Sequence, residues 1–217
     1  MKLSYYIYEL RHSLPTDYEN LDTRLLIRLL NSFRAIHIKN IYNQNKEIDE
    51  NLAQEINFQV DIADQSTIPY INTEDRILIS DREIPQVIKL SHRDLILNIR
   101  NPKILTDNYN YVSKDNAIYA GNGKFNKKDI FSFIYNDRLY IKLKRDNPKI
   151  GLITTISMRA IFENPLDCIP FQYNEYIDPM NYEYPLTDTT WGYIKSQILQ
   201  NGLQIINAEQ NEQRSME

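Results

Sequence analysis

Apolar residues recur every three or four positions through the first fifty residues, then every second position, so the chain reads as helices followed by strands. Leu3, Ile7, Leu10 and Leu14 mark a short helix that Pro15 ends. The strongest helical period covers residues 21–43. Leu26, Leu29, Leu30, Phe33 and Ile36 share one face, with Leu25 and Ile41 at its margins. Arg24, Arg28, Asn31, Ser32 and Lys39 fall on the other face, and Asn20 or Asp22 can serve as N-cap. Asp49 is placed to cap a further short helix running through Glu55.

Beyond residue 57 the period changes. Phe58, Val60 and Ile62 alternate with polar neighbours as in a half-buried strand, and residues 77–79 form a short apolar run ending at Ser80 and Asp81. Pro85 forces Ile84 into an extended or turn conformation. Residues 131–135 and 139–143 flank Asn136, Asp137 and Arg138, the pattern of a hairpin. Residues 152–162 (LITTISMRAIF) are a third β-rich run, and the three together predict a meander. An aperiodic stretch rich in tyrosine and proline crosses residues 170–185. Asp188 can then cap a helix whose Trp191, Ile194, Ile198 and Leu199 share a face, ending at Asn201 and Gly202 before a polar tail. The expected class is α+β, with N-terminal helices, a central antiparallel β-domain built on a hairpin or meander, and a C-terminal helix. The expected divisions are 1–57 (helical), 58–165 (β-rich) and 166–217 (Tyr/Pro-rich arm, helix and tail).

Composition narrows the function classes. The 217 residues are 42% hydrophobic and 25% charged, which rules out wholesale disorder. Twenty-five basic against 29 acidic residues leave a net charge of −4, so the usual electrostatic footprint of a free-standing nucleic-acid binder is missing. No apolar run approaches the roughly 18–20 residues of a membrane span, and the first residues lack a secretory apolar region. One cysteine, Cys168, leaves no internal disulfide framework and no CxxC zinc site. The 31 Ile, 23 Asn and 16 Tyr are the skew of AT-rich coding, while only 5 Gly disfavour glycine-dependent phosphate loops.

Each fragment of a catalytic motif has a plainer reading. Ser91-His92-Arg93-Asp94 resembles a kinase catalytic loop, yet Asn98 follows the aspartate by four residues where five are required. A solvated helix start is the better account. Gly121-Asn122-Gly123-Lys124 is followed by Phe125 where a P-loop needs Ser or Thr, so it reads as a turn. His12, His37 and His92 are too far apart to predict a zinc site, with His37 expected as a half-buried packing residue. Cys168 has no neighbouring base to activate it. The acidic groups Asp61/Asp64, Asp81/Glu83 and Glu47/Asp49/Glu50 are better explained as solvent-facing carboxylates than as a magnesium site. No catalytic, cofactor-binding or metal-binding residue is assigned, and no cofactor is expected.

Two features point to contacts with other chains. Arg24, Arg28 and Lys39 make a basic stripe on the polar side of the long helix. Phe171, Tyr173, Tyr176, Tyr182 and Tyr184 lie in aperiodic chain, and tyrosine combines ring area with a wet hydroxyl, as interfaces favour. These eight residues are the interaction candidates, and they predict an assembly component.

Five segments carry a family likeness: LLIRLLNSFRAIHIKN, RILISDREIPQVIKL, DNAIYAGNGKFNKKDIFSFIYNDRLYIKL, ISMRAIFENPLD and YPLTDTTWGYIKSQILQNGLQI. In these the chain resembles the neck (ring or head–tail connector) proteins of tailed bacteriophages of the crAss-like podovirus type. The resemblance implies a non-enzymatic virion protein, assembled in the host cytoplasm, that forms a ring of its own copies between portal and tail. Its implied partners are those copies, the portal and adjacent tail or neck proteins, and DNA passing through a channel without specific recognition; no membrane is implied. A ring closed by rotation needs two different contact surfaces on each subunit. Two alternatives stay open from sequence: a metal-dependent phage DNA-processing enzyme or accessory factor, and another tail or baseplate-type structural subunit.

Overall fold

The spacing of Leu3, Ile7 and Leu10 buries one side of α1 (Leu3–Ser13), and Tyr6 completes the stripe. The structure is a computed structural model that describes residues 1–15, 18, 21–44, 49–63, 75–123, 126, 128–173 and 175–202. Asn20, Glu47, Asp64, Lys124, Phe125 and the polar tail lie outside the described residues. In α2 (Thr23–Tyr42) the N-cap is Asp22, whose carboxylate accepts from the Arg24 N–H at 3.0 Å.

The buried row of α2 differs from the one its apolar residues predict. It runs Leu26, Leu30, Arg34, Ile38, Tyr42, with Leu29 beside it, while Ile36 is exposed. A row of every fourth residue drifts by about 40° per step around a helix of 3.6 residues per turn. The buried side therefore rotates along α2. Its first half packs on α1 and the C-terminal helix, and its second half packs on Leu52, Ile88, Leu95 and Ile161.

The expected helix after Asp49 is one 3-10 turn, Glu50–Leu52, capped by Asp49. Glu55 is already in β1 (Gln54–Ile62), whose side chains alternate in and out down to Val60; Ile62, at the strand's end, is exposed. Then come β2 (Asp75–Ser80), β3 (Ile96–Asn101), β4 (Ile104–Asn108), β5 (Asn110–Tyr111), the short α3 (Lys114–Ala117), β6 (Phe131–Tyr135), β7 (Arg138–Lys144) and β8 (Thr155–Ala160). The chain ends its described part with α4 (Ile169–Gln172), α5 (Asp188–Gln197) and a π-helical turn, Ile198–Gly202. The class is α+β as expected.

The predicted hairpin is β6–β7. Its turn is only Asn136-Asp137, both with positive φ (47° and 56°), and Arg138 already pairs with Tyr135. Such a turn matches the right-handed twist of the flanking strands. The meander ends there. β8 does not pair with β7; it lies between β3 and β1, and the sheet order is β4-β3-β8-β1-β2-β7-β6-β5. The helix start expected at Ser91 is instead a reversal, closed by the Leu90 N–H donating to the Arg93 oxygen (2.8 Å) and the Leu95 N–H donating to the Ile88 oxygen (2.9 Å).

The two ends of this sheet meet. Only Tyr109 separates β4 from β5, so one continuous run pairs with β3 and then with β6. The strand directions agree with closure. All neighbours are antiparallel except β5 and β6, and a ring of seven strands needs an odd number of parallel pairs to close consistently. The sheet is thus a small barrel whose corners are β1 and the β4–β5 run, each shared between two halves. Ile56, Phe58, Leu78, Ile141, Ile156 and Met158 fill the interior. The helices α1, α2 and α5 form one layer at the end where β1 begins and β8 finishes, which brings the first and last described stretches of the chain together.

Candidate interaction surface

The middle of α2 holds the charge that organises this layer. Arg34 is completely buried. Its Nη1 donates to the Phe162 oxygen at 2.8 Å, Nη2 to the Leu52 oxygen at 3.2 Å and Nε to the Pro185 oxygen at 3.3 Å. Burial lowers the guanidinium pKa from its ordinary value, yet arginine keeps its proton in proteins, so the cation is retained and shared among three carbonyls. Next to it, the Tyr184 hydroxyl donates to Asn31 Oδ1 at 2.5 Å, and the guanidinium lies 5.9 Å from the Tyr184 ring centre.

The eight candidate residues are divided by this geometry. Arg24 and Arg28 are exposed on the outer side of α2, in line with Ser32, Ile36 and Asn40. Lys39 lies about 20° from Arg28 around the helix, but the buried side has drifted toward it there, and its ammonium lies 2.7 Å from Glu163. Tyr182 and Tyr184 are buried in the chain's own core. The Gln54 amide donates to the Tyr182 hydroxyl, which donates in turn to Gln172 Oε1 at 2.8 Å, and burial pushes the Tyr182 phenol up to about 12. Phe171 is half-buried under Arg82, whose guanidinium sits 4.2 Å from the ring centre. Tyr173 is 42% exposed and Tyr176 90% exposed.

The segment that carries them is tied down on both sides of Tyr176. Gln172 Nε2 donates to the Glu55 oxygen at 2.9 Å, so α4 covers the open side of β1. Asp178 caps the turn Pro179–Asn181 through the Met180 N–H at 3.0 Å. The Leu3 N–H donates to the Tyr182 oxygen, and the Tyr184 N–H to the Met1 oxygen, both at 2.9 Å. A cleft of about 400 Å³ lies between these pieces, lined among others by Met1, Gln54, Glu55, Gln172 and Tyr173.

Further exposed aromatics were not singled out by sequence. Tyr5 and Tyr8 stand on the outside of α1, Tyr8 packs on His12 with the two rings tilted by 37°, and Tyr119 projects beyond α3. Their three-residue spacing on α1, off the Leu3–Ile7–Leu10 stripe, was a usable signal for Tyr5 and Tyr8. His37 stacks on Tyr193 with ring centres 4.3 Å apart, and burial lowers its pKa.

The remaining titratable groups have structural settings. Cys168 is buried, and its thiol is pushed far up by that burial. Gly121, at φ +80°, makes the turn that its neighbours predicted. Asp75 lies between Lys142 (3.2 Å) and Lys144 (2.6 Å), and Lys142 also donates to the Ala117 and Ile118 oxygens at the end of α3. Among the described residues no group of three or more His, Cys, Asp or Glu could hold a metal ion. Among them, too, no helix is long and apolar enough to cross a membrane.

The family described as phage tail ring protein 2, of the crAss-like ring proteins, matches residues 3–215. The chain belongs to that family and is a structural ring protein of the phage virion. No curated protein matches it.

Proposed function

We propose that this chain closes into a ring in the neck of the virion and joins the portal to the tail by protein–protein contacts, without catalysing a reaction. Membership of the tail ring family over nearly the whole chain carries this reading. The barrel is compatible with it. Its interior is packed with side chains such as Ile56, Phe58 and Met158, so a passage for DNA would lie between subunits and not through one. A subunit with net charge −4 suits DNA that must slide past without being held.

Electron microscopy of the assembled particle, together with native mass measurement of the purified chain mixed with its portal, tests the proposal. A closed ring touching the portal is the expected result. A chain that stays monomeric with the portal and with tail proteins would sink it. The family description names the tail, which also fits a ring lower down. Binding to tail proteins with no binding to the portal would select that second position.

A further inference from the structure

Two long segments of this chain carry acidic residues and no lysine or arginine: residues 47–75, with eight, and residues 160–194, with six. The second holds Glu163, Asp167, Glu175, Asp178, Glu183 and Asp188. The long helix is the opposite case. Thr23–Tyr42 holds Arg24, Arg28, Arg34 and Lys39 and no acidic residue. Within one subunit α2 and the second segment already meet: Arg34 is bonded to the Phe162 and Pro185 oxygens, and Lys39 to Glu163. That contact uses Arg34 and the C-terminal half of α2 and leaves Arg24 and Arg28 exposed in its N-terminal half. It also leaves Glu175, Tyr176 and Asp178 exposed, with Tyr176 the most exposed of the large apolar and aromatic side chains described.

We propose that the Glu175–Tyr176–Asp178 stretch of one subunit docks on the Arg24–Arg28 row of the next copy, forming the repeating head-to-tail contact of the ring. This rests on the ring reading above. Two arginines four residues apart on a helix have Cβ atoms about 5–6 Å apart, enough for an aromatic ring to lie against both guanidinium groups while carboxylates flank them. The chain makes the same kind of pairing internally, where Arg82 lies over Phe171 at 4.2 Å and Arg34 beside Tyr184. The two patches differ and occupy different elements, which a heterologous, ring-closing interface requires. Strand addition is a weaker competitor, because α4 covers the side of β1 that no strand pairs and the β4–β5 run lies along both β3 and β6.

Charge reversal in the full-length chain tests this, with assembly followed by mass photometry and folding by circular dichroism melts. Arg24→Glu/Arg28→Glu and, separately, Glu175→Lys should each raise the concentration needed for assembly at least tenfold, with melts like the wild type. An equimolar mixture of the two variants should recover assembly, since each reversed patch then finds its opposite. Tyr176→Phe should assemble normally and Tyr176→Ala should not. Folded variants that assemble like the wild type, or a mixture with no recovery, would overturn this contact and leave the ring itself standing. A wild-type chain that forms no ring alone or in the particle would remove both.

Discussion

Arg34 Nη1 lies 2.8 Å from the Phe162 carbonyl oxygen, and this bond ties the centre of the longest helix to the point where the chain leaves the barrel. The same guanidinium reaches Leu52, just before β1, and Pro185, just before α5. One side chain thus fastens the entry to the barrel, the exit from it and the return to the helical layer. Planar, forked donors let arginine serve three carbonyls at once, where a lysine ammonium would act as a single point.

Arg34→Leu should therefore destabilise the fold strongly. It leaves three buried carbonyls without that donor, and a buried acceptor left unsatisfied costs about 1–3 kcal/mol. Arg34→Lys should recover only part of the loss. Urea denaturation of the three proteins measures both; equal midpoints for wild type and Arg34→Leu would show that the hub is not stabilising.

The buried triad on β2 and β7 gives a second expectation. Asp75→Ala leaves the Lys142 ammonium, 2% exposed, without its carboxylate, at a cost of about 3–5 kcal/mol. Asp75→Leu combined with Lys142→Met should regain most of that loss, because a packed apolar pair has no desolvation penalty to offset. A double-mutant cycle in denaturant would contradict this if the two substitutions simply added.

The β6–β7 turn makes a third. Asn136 and Asp137 sit at φ 47° and 56°, a region that costs an ordinary residue roughly 1–2 kcal/mol. Asn136→Val should lower stability by about that amount, whereas Asp137→Gly should be neutral or stabilising. Thermal melts showing the reverse order would mean that the turn has another conformation.

Acid should loosen the helical layer through two groups. The Trp191 indole, Tyr5 hydroxyl and Lys195 hold the Glu9 carboxyl below its usual pKa, so its contribution is present above the unfolded value and lost as pH falls through the folded one. Burial lowers His37, so the unfolded chain takes up a proton that the folded chain resists, and stability again falls with pH below about 6.5. His37→Phe should keep the stack on Tyr193 and flatten the upper part of this pH dependence. Melting temperatures measured between neutral and acid pH would show no such flattening if His37 titrates equally in both states.

Local patterns were legible wherever one face alone decides burial. The α1 stripe, the strand through Phe58 and Val60, and the Asn136-Asp137 hairpin all follow from neighbouring residues. The half-exposed aromatics and the charge of α2 were also readable, since surface residues need no partner to be recognised. The two tyrosines Tyr182 and Tyr184 were legible as aromatic but not as core, because their hydroxyls are satisfied by Gln54, Gln172 and Asn31, residues far from them or on another element.

Residue order by itself determined the α+β class, the positions of α1, α2, α5 and the hairpin, and the likeness to phage ring proteins. Only tertiary structure decided that β8 crosses between β1 and β3, that Tyr109 closes the sheet into a barrel, and that Arg34 belongs inside while Ile36 faces out. Periodicity records which side of an element avoids water. It carries no information on which distant backbone carbonyls will be left buried without donors, and those are what draw a charged side chain into the core.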